Sequence, residues 1–260
     1  MSKQTQHERP DIIKFVHITD THLLDSAEET FHGLNTKENL ERVLANSQAR
    51  YPDVDFFLFT GDISQTGTAK SYALFKAVMQ EYDQPVYCVP GNHDKPKLLQ
   101  CIIRDSPDSS INIIDLGKFS LVLLNSWVDG EHHGVVTQHC LQQLDDHLKN
   151  SVDKFNIIAI HHPPVVINSK WLDELGLQNQ TEFLQVINKY SQNTLLLCGH
   201  VHQEVDLELD NLRLLATPST CHQYRANSEH MSREERAAPA YRYVRLSNKN
   251  SINTKVYYVE

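Results

Sequence analysis

Apolar residues in this chain gather into short runs that stop abruptly, and the spacing of those runs predicts strands alternating with helices. Residues 12–19 (IIKFVHIT) are mostly β-branched and apolar and read as a first strand. Residues 55–60, 85–89, 156–160 and 194–198 are similar unbroken runs, the pattern of strands covered on both faces. Residues 36–51 repeat Leu40, Val43 and Leu44 at helical spacing, with Thr36 as the expected cap and Asn39 in the first turn. Residues 68–82 put Tyr72, Phe75, Val78 and Met79 on one helical face, and residues 137–149 do the same with Leu141, Leu144 and Leu148. Residues 181–190 read as another helix, and residues 95–104 as a short helix or loop. The runs at 111–116 and 119–126 flank Gly117-Lys118 and predict a hairpin, as do 204–209 and 212–216 around Asn211. After a long loop at 217–239, residues 241–246 and 252–259 alternate well enough to pair. The pattern predicts a mixed α/β chain: strand–helix alternation first, then local antiparallel pairing.

Composition narrows this picture. A chain of 260 residues suffices for one large domain, and a single domain over 1–260 is expected, with 218–260 as a tail adding strands and a loop. Hydrophobic content of 40% and charged content of 22% are those of a globular protein, so no stretch is assigned to disorder. The net charge of −9 argues against a nucleic-acid polymer as partner, because such surfaces are basic. Residues 1–10 are polar, which predicts no signal peptide, and no apolar run is long enough to span a membrane. The five cysteines are odd in number and form no CxxC pair, so they read as reduced thiols, mostly in the core of a cytoplasmic protein. Fifteen histidines is the one compositional hint of metal or proton chemistry.

The chemistry lies where the strands stop. Five of them end in side chains that can hold a metal: Asp20-Thr21-His22, Gly61-Asp62, Gly91-Asn92-His93-Asp94, His161-His162-Pro163-Pro164 and Gly199-His200-Val201-His202. Ligands in open α/β sheets bind outside the carboxyl ends of strands. Any one of these segments alone is also what a polar turn looks like. Residues two apart on an extended chain face the same way, which pairs Asp20 with His22 and His200 with His202. By the same alternation only one of two adjacent histidines reaches a shared site, and His161 is expected to be that one. Asp62 has two oxygens and can bridge two ions. The candidate ligands are therefore Asp20, His22, Asp62, Asn92, His161, His200 and His202, enough for two ions sharing one carboxylate. Carboxylate, amide oxygen and imidazole without thiolate suit iron or manganese, with cobalt or zinc also acceptable, better than magnesium or calcium. His132 and His133 read as loop residues, and His139 and His147 as lying on the solvent side of their helix.

This ordered set, D-x-H, GD, GNHD, H and GHxH, resembles the signature of the calcineurin-like metallophosphoesterase superfamily, with every part present. Within it, HITDTHL, HHPP, CGHVHQE and LLATPSTCHQ are similar to the bacterial class III 3′,5′-cyclic AMP phosphodiesterases. The resemblance spans nearly the whole chain and loosens after Gln223. It implies a four-layer αββα sandwich of two mixed sheets flanked by helices. It implies a metal-dependent phosphodiesterase that converts 3′,5′-cyclic AMP to 5′-AMP with a dimetal-bound hydroxide as nucleophile. Asp20, His22, Asp62 and His202 would hold one ion, and Asp62, Asn92, His161 and His200 the other. Asp62 and His93 would be catalytic, His93 as general acid with Asp94 orienting it from behind. His22, Asp62, Asn92, His93 and His202 would meet the substrate phosphate. A cyclic nucleotide is the expected partner, with a homodimer left open. The motifs leave two alternatives: another diester, such as a 2′,3′-cyclic nucleotide or a glycerophosphodiester, or a non-catalytic scaffold on the same fold.

Overall fold

The structure, a computed structural model, describes residues 11–190, 193–209, 212–234, 238–249 and 251–260. The polar N-terminal segment, Asn211 in its expected turn, and residues 235–237 of the long loop lie outside the described residues.

Two sheets carry the molecule. The first contains β1 (Ile12–Ile18), β2 (Phe56–Thr60), β3 (Val86–Val89), β10 (Ala240–Ser247) and β11 (Ser251–Tyr258), in the order β11-β10-β1-β2-β3. The second contains β4 (Ile111–Leu116), β5 (Phe119–Leu124), β6 (Phe155–Ala159), β7 (Thr194–Cys198), β8 (Val205–Leu209) and β9 (Leu212–Ala216), in the order β4-β5-β6-β7-β9-β8. Both are mixed. β1, β2 and β3 run parallel, as do β5, β6, β7 and β9, while β10, β11, β4 and β8 pair antiparallel.

Period-two alternation explains the layering. Phe15, Phe56 and Leu58 of the first sheet meet Leu121, Ile157 and Leu197 of the second in an inter-sheet core. The alternate residues Val16, Phe57 and Phe59 face the other way, onto α1 (Thr36–Arg50), α2 (Ala69–Met79) and α3 (Pro96–Ile102). Val122, Ile158 and Leu196 likewise pack on α4 (Gln138–Asn150), α5 (Lys170–Asp173) and α6 (Gln180–Asn188). The result is the expected four layers, helix–sheet–sheet–helix.

Local capping differs from expectation in one place. Asn35, not Thr36, caps α1: its side chain accepts from the Glu38 N–H at 3.0 Å, and Thr36 is already helical. Asparagine is at least as good a cap as threonine, and the apolar repeat alone does not separate two neighbouring candidates. His139 is exposed as predicted, but His147 is half-buried and bonded to Ser120 Oγ at 2.8 Å. The five cysteines are unpaired, four of them buried and Cys101 exposed. No helix among the described residues is long and apolar enough to cross a membrane.

The C-terminal strands are central to the first sheet, because β10 lies between β1 and β11. It carries Arg242, only 1% exposed, whose guanidinium donates to Ala216 O at 2.9 Å and to Val205 O, Thr217 Oγ1 and Thr254 Oγ1 at 3.3 Å. Thr217 in turn bonds His17 Nδ1, and His17 Nε2 bonds Thr60 Oγ1, both at 2.7 Å. Burial, reinforced by the Arg242 charge, pushes His17 down to about 3 and keeps it neutral. A polar rod thus joins the two sheets directly below the ends of β1 and β2. Arg242→Ala is expected to lower folding stability by about 3 kcal/mol, since it opens a cavity and strands several acceptors. Urea denaturation reads this; an unchanged midpoint would contradict the role.

Candidate metal centre

The three parallel strands of the first sheet and two of the second deliver their carboxyl ends to one place. Asp20 and His22 follow β1, Asp62 follows β2 and Asn92 follows β3. His161 follows β6, and His200 and His202 follow β7. Asp20, His22 and His202 form one group whose potential ligand atoms lie within 4.8 Å of one another, and Asp20, Asp62 and His161 form a second. Asp62 Oδ2 stands between the two halves, 3.8 Å from His22 Nε2 and 3.5 Å from His161 Nε2. Asn92 Oδ1 is 3.2 Å from the same His161 nitrogen. All seven predicted ligands therefore converge.

The backbone achieves this in an unexpected way. Asp20, His22, Asp62, His200 and His202 all have positive φ, between 46° and 70°. The extended alternation that predicted the pairs is absent; the pairs face the site because the chain winds through the left-handed region. That conformation costs a non-glycine residue about 1–2 kcal/mol and persists only where surroundings enforce it. Here Asp20 N–H donates to Gly61 O at 3.0 Å, His22 N–H to Asp62 O at 2.9 Å, and Leu23 N–H to Ile63 O at 3.0 Å. The loops after β1 and β2 thus clasp each other beyond the sheet. Gly91 is needed for contact rather than for its φ: a Cβ there would lie 2.3 Å from Asp62 Oδ1. Gly91→Ala is expected to displace Asp62 and weaken metal binding by about tenfold or more, read by calorimetric titration. Wild-type affinity would show that Asp62 has room to spare.

Ring tautomers follow from the partners, since a carbonyl can only accept. His161 Nδ1 donates to Thr60 O and His202 Nδ1 to His222 O, both at 2.7 Å, and His22 Nδ1 donates to Gln65 Oε1 at 2.7 Å. Each ring is left with Nε2 turned toward the others, and the Nε2 atoms of His22 and His202 stand 3.2 Å apart. Two lone pairs aimed at each other repel unless something positive lies between them. His200 Nε2 is buried with no partner. Asp20 and Asp62 are 0% and 2% exposed, and the ion-pair partners the structure gives them are histidines. Buried anions require positive charge nearby. Burial by itself raises both carboxyls, but the imidazoles outweigh it: His202 first for Asp20, and His161 then His93 for Asp62. Burial pushes His22 down to about 4 against the pull of Asp62, whereas for His161 the Asp62 charge overcomes burial and raises it to about 9. This donor set fits divalent or trivalent cations.

His162 is as buried as His161 and groups with it and His200. Its nitrogens are both engaged, however, with Ser126 Oγ at 2.8 Å and His132 O at 3.1 Å. Choosing His161 over His162 agrees with that arrangement.

Asp94 does not sit behind His93. Its carboxylate accepts from Gly91 N at 2.9 Å, Ser64 N at 3.1 Å, Ile63 N at 3.2 Å and Tyr72 Oη at 3.0 Å. Four donors from two loops and a helix surround it, so it ties the ends of β2 and β3 together. Gln65 occupies the place expected for Asp94: its carbonyl accepts from His93 Nδ1 at 3.1 Å, while its side chain holds His22. Sequence reasoning missed Gln65, because no pattern marks a glutamine two residues beyond a strand-end turn. It also missed His132, whose Nδ1 accepts from Asn92 Nδ2 at 3.2 Å and so keeps the Asn92 oxygen toward His161. The long loop borders the site: Ser219 Oγ donates to Asp20 O at 2.8 Å, and His222 supplies the carbonyl for His202.

The metal-competent residues floor a cavity of about 340 Å³, lined there by His22, Asp62, Asn92, His93, His200 and His202. Asp20 and His161, both fully buried, lie beneath that floor.

Residues 13–204 match the calcineurin-like phosphoesterase family. The chain belongs to that family. Among relatives of this calcineurin-like phosphoesterase, the 3′,5′-cyclic adenosine monophosphate phosphodiesterase CpdA of Haemophilus influenzae is 32% identical over 253 residues, covering 96% of this chain and 91% of the relative. The 3′,5′-cyclic-nucleotide phosphodiesterase alr5338 of Nostoc is 33% identical over 244 residues, covering 94% of this chain and 91% of that protein. A dimetal phosphatase from Danio rerio shares the fold, with a TM-score of 0.68 at 15% identity and coverage of 95% and 99%.

Proposed function

We propose that this calcineurin-like phosphoesterase hydrolyses 3′,5′-cyclic nucleotides, cyclic AMP foremost, to the 5′-monophosphate. The observation that carries the reading is Asp62 Oδ2, set between the two halves of a seven-residue donor set, with His93 on the wall of the same cavity. The near full-length relatives of that activity support the substrate. Asp20, His22, Asp62 and His202 hold one cation, and Asp62, Asn92, His161 and His200 the other, with iron or manganese best suited to this mix of nitrogen and oxygen donors. A pair of cations in this cradle brings the pKa of a shared water near neutrality and offsets the phosphate's charge.

The protein's own groups do the rest. His22, Asp62, Asn92, His93 and His202 line the floor and set where the phosphate rests. Breaking the bond to O3′ leaves an alkoxide that needs a proton. His93 supplies it: Nδ1–H stays on the Gln65 carbonyl, so Nε2 is the nitrogen that gains and loses the proton. The unpaired cysteines fit a reducing compartment, and we place the enzyme in the cytoplasm.

Purified protein with added manganese or iron(II) should turn over 3′,5′-cyclic AMP faster than 2′,3′-cyclic AMP or glycerophosphocholine, releasing 5′-AMP. Preference for either of the other diesters, or 3′-AMP as product, would overturn the substrate assignment.

A further inference from the structure

The cavity over the metal centre has two chemically different ends. Its floor is histidine, aspartate and asparagine, but its mouth is lined by Phe31, Trp171, Leu172, Leu175 and Met231. Such a mouth is more than an anion binder needs. We propose that it is a slot for the purine base of the cyclic nucleotide; this rests on the function proposed above and adds how the base is held.

Three short elements build the slot. Phe31 and Leu34 exchange backbone hydrogen bonds at 2.9 and 3.0 Å, and His32 and Gly33 between them have φ of 54° and 80°. Positive φ at both central positions makes a tight reverse turn whose twist holds the flanking residues rigidly. That turn presents Phe31 and His32 at one side of the mouth. The opposite side combines the end of α5 with a second return of the chain. In it Arg225 N–H donates to Ser232 O at 2.7 Å, Glu234 N–H donates to Gln223 O at 3.0 Å, and Tyr224 bridges Arg233. This return carries Tyr224, Met231 and Arg233 to the cavity.

The aromatic surface is fixed in place. The Trp171 indole N–H donates to Ser228 Oγ at 3.3 Å, and its ring stands edge-on to Tyr224 with centroids 4.7 Å apart. Tyr224 in turn leans over His202 at 4.6 Å, which ties the slot to the metal-competent floor. Met231 is 67% exposed although it lines a cavity, the position of a side chain that lacks something to cover it. A cyclic phosphate seated on the floor has its ribose 1′ substituent pointing away from phosphorus, toward this mouth. A purine offers two π-faces for Phe31, Trp171 and Met231, and ring nitrogens at its edge for Arg233 and His32.

The test compares 3′,5′-cyclic AMP with methyl riboside 3′,5′-cyclic phosphate, which has the same reacting ring and no base. Wild-type enzyme should favour cyclic AMP in kcat/KM, and Trp171→Ala and Met231→Ala should each reduce that selectivity, the tryptophan variant by about tenfold, as expected for loss of one stacking partner. Met231 is exposed, so its variant reports on the slot even if the tryptophan change disturbs packing. Variants that slow both substrates in parallel, or leave the selectivity at its wild-type value, would overturn the slot. Wild-type turnover of both substrates without preference would also overturn it while leaving the proposed activity standing. Wild-type failure on both would remove the activity itself.

Discussion

Asp62→Ala should empty both cation positions and lower kcat on cyclic AMP by about a thousandfold or more. Its Oδ2 is the one carboxylate oxygen close to both halves of the donor set, 3.8 Å from His22 Nε2 and 3.5 Å from His161 Nε2. Its other oxygen accepts from the His93 N–H at 2.8 Å, so the same side chain also fixes the backbone that carries the acid. Removing it takes away a buried charge that balances several imidazoles, and with it several kcal/mol of transition-state charge stabilisation. Alanine at φ 49° is itself strained, and loss of folding could mimic the result. Asp62→Asn removes that ambiguity, because asparagine tolerates the left-handed region while lacking the charge. Both variants should lose metal by elemental analysis with a folded circular dichroism spectrum. Normal metal content in the asparagine variant would refute the bridging role.

His93→Ala should behave oppositely toward metal. It should keep the cations and lose about 10²- to 10⁴-fold in kcat on cyclic AMP, the range general acid catalysis supplies. The loss should shrink to less than about tenfold on methyl 4-nitrophenyl phosphate, whose leaving group departs without a proton. His93 lines the cavity, and the Gln65 carbonyl holds its Nδ1 at 3.1 Å, which leaves Nε2 for the leaving oxygen. Equal losses on the two substrates would show that His93 positions the phosphate rather than protonating O3′.

Much of this was written in the order of residues, and the reason is local. A strand buried on both faces is an unbroken apolar run, so its end is sharp, and the polar residues after it stand out. That is why the seven ligand positions could be named from sequence, and why the inter-sheet and outer cores follow from period-two alternation. The rest depends on contacts between residues far apart in the chain. Nothing local places β10 between β1 and β11, or buries Arg242 against the Ala216 and Val205 carbonyls. The positive φ of Asp20, His22, Asp62, His200 and His202 was equally hidden, because side-chain pattern reports periodicity and not handedness. Pairing Asp20 with His22 therefore succeeded on a premise the backbone does not obey. Asp94 was assigned to His93 by adjacency in sequence, whereas its four donors come from Ile63, Ser64, Gly91 and Tyr72. Gln65 does that work without a motif to announce it. The polar supports around a metal-competent site come from wherever the fold brings a donor or acceptor, and sequence spacing does not constrain them.

The whole account turns on whether two cations straddle Asp62. Crystals grown with manganese and measured at a wavelength where the metal scatters anomalously test this directly. The expected map has two anomalous peaks flanking Asp62 Oδ2, one beside Asp20, His22 and His202 and the other beside Asn92, His161 and His200. A single peak remote from Asp62, or none at millimolar manganese, would contradict it.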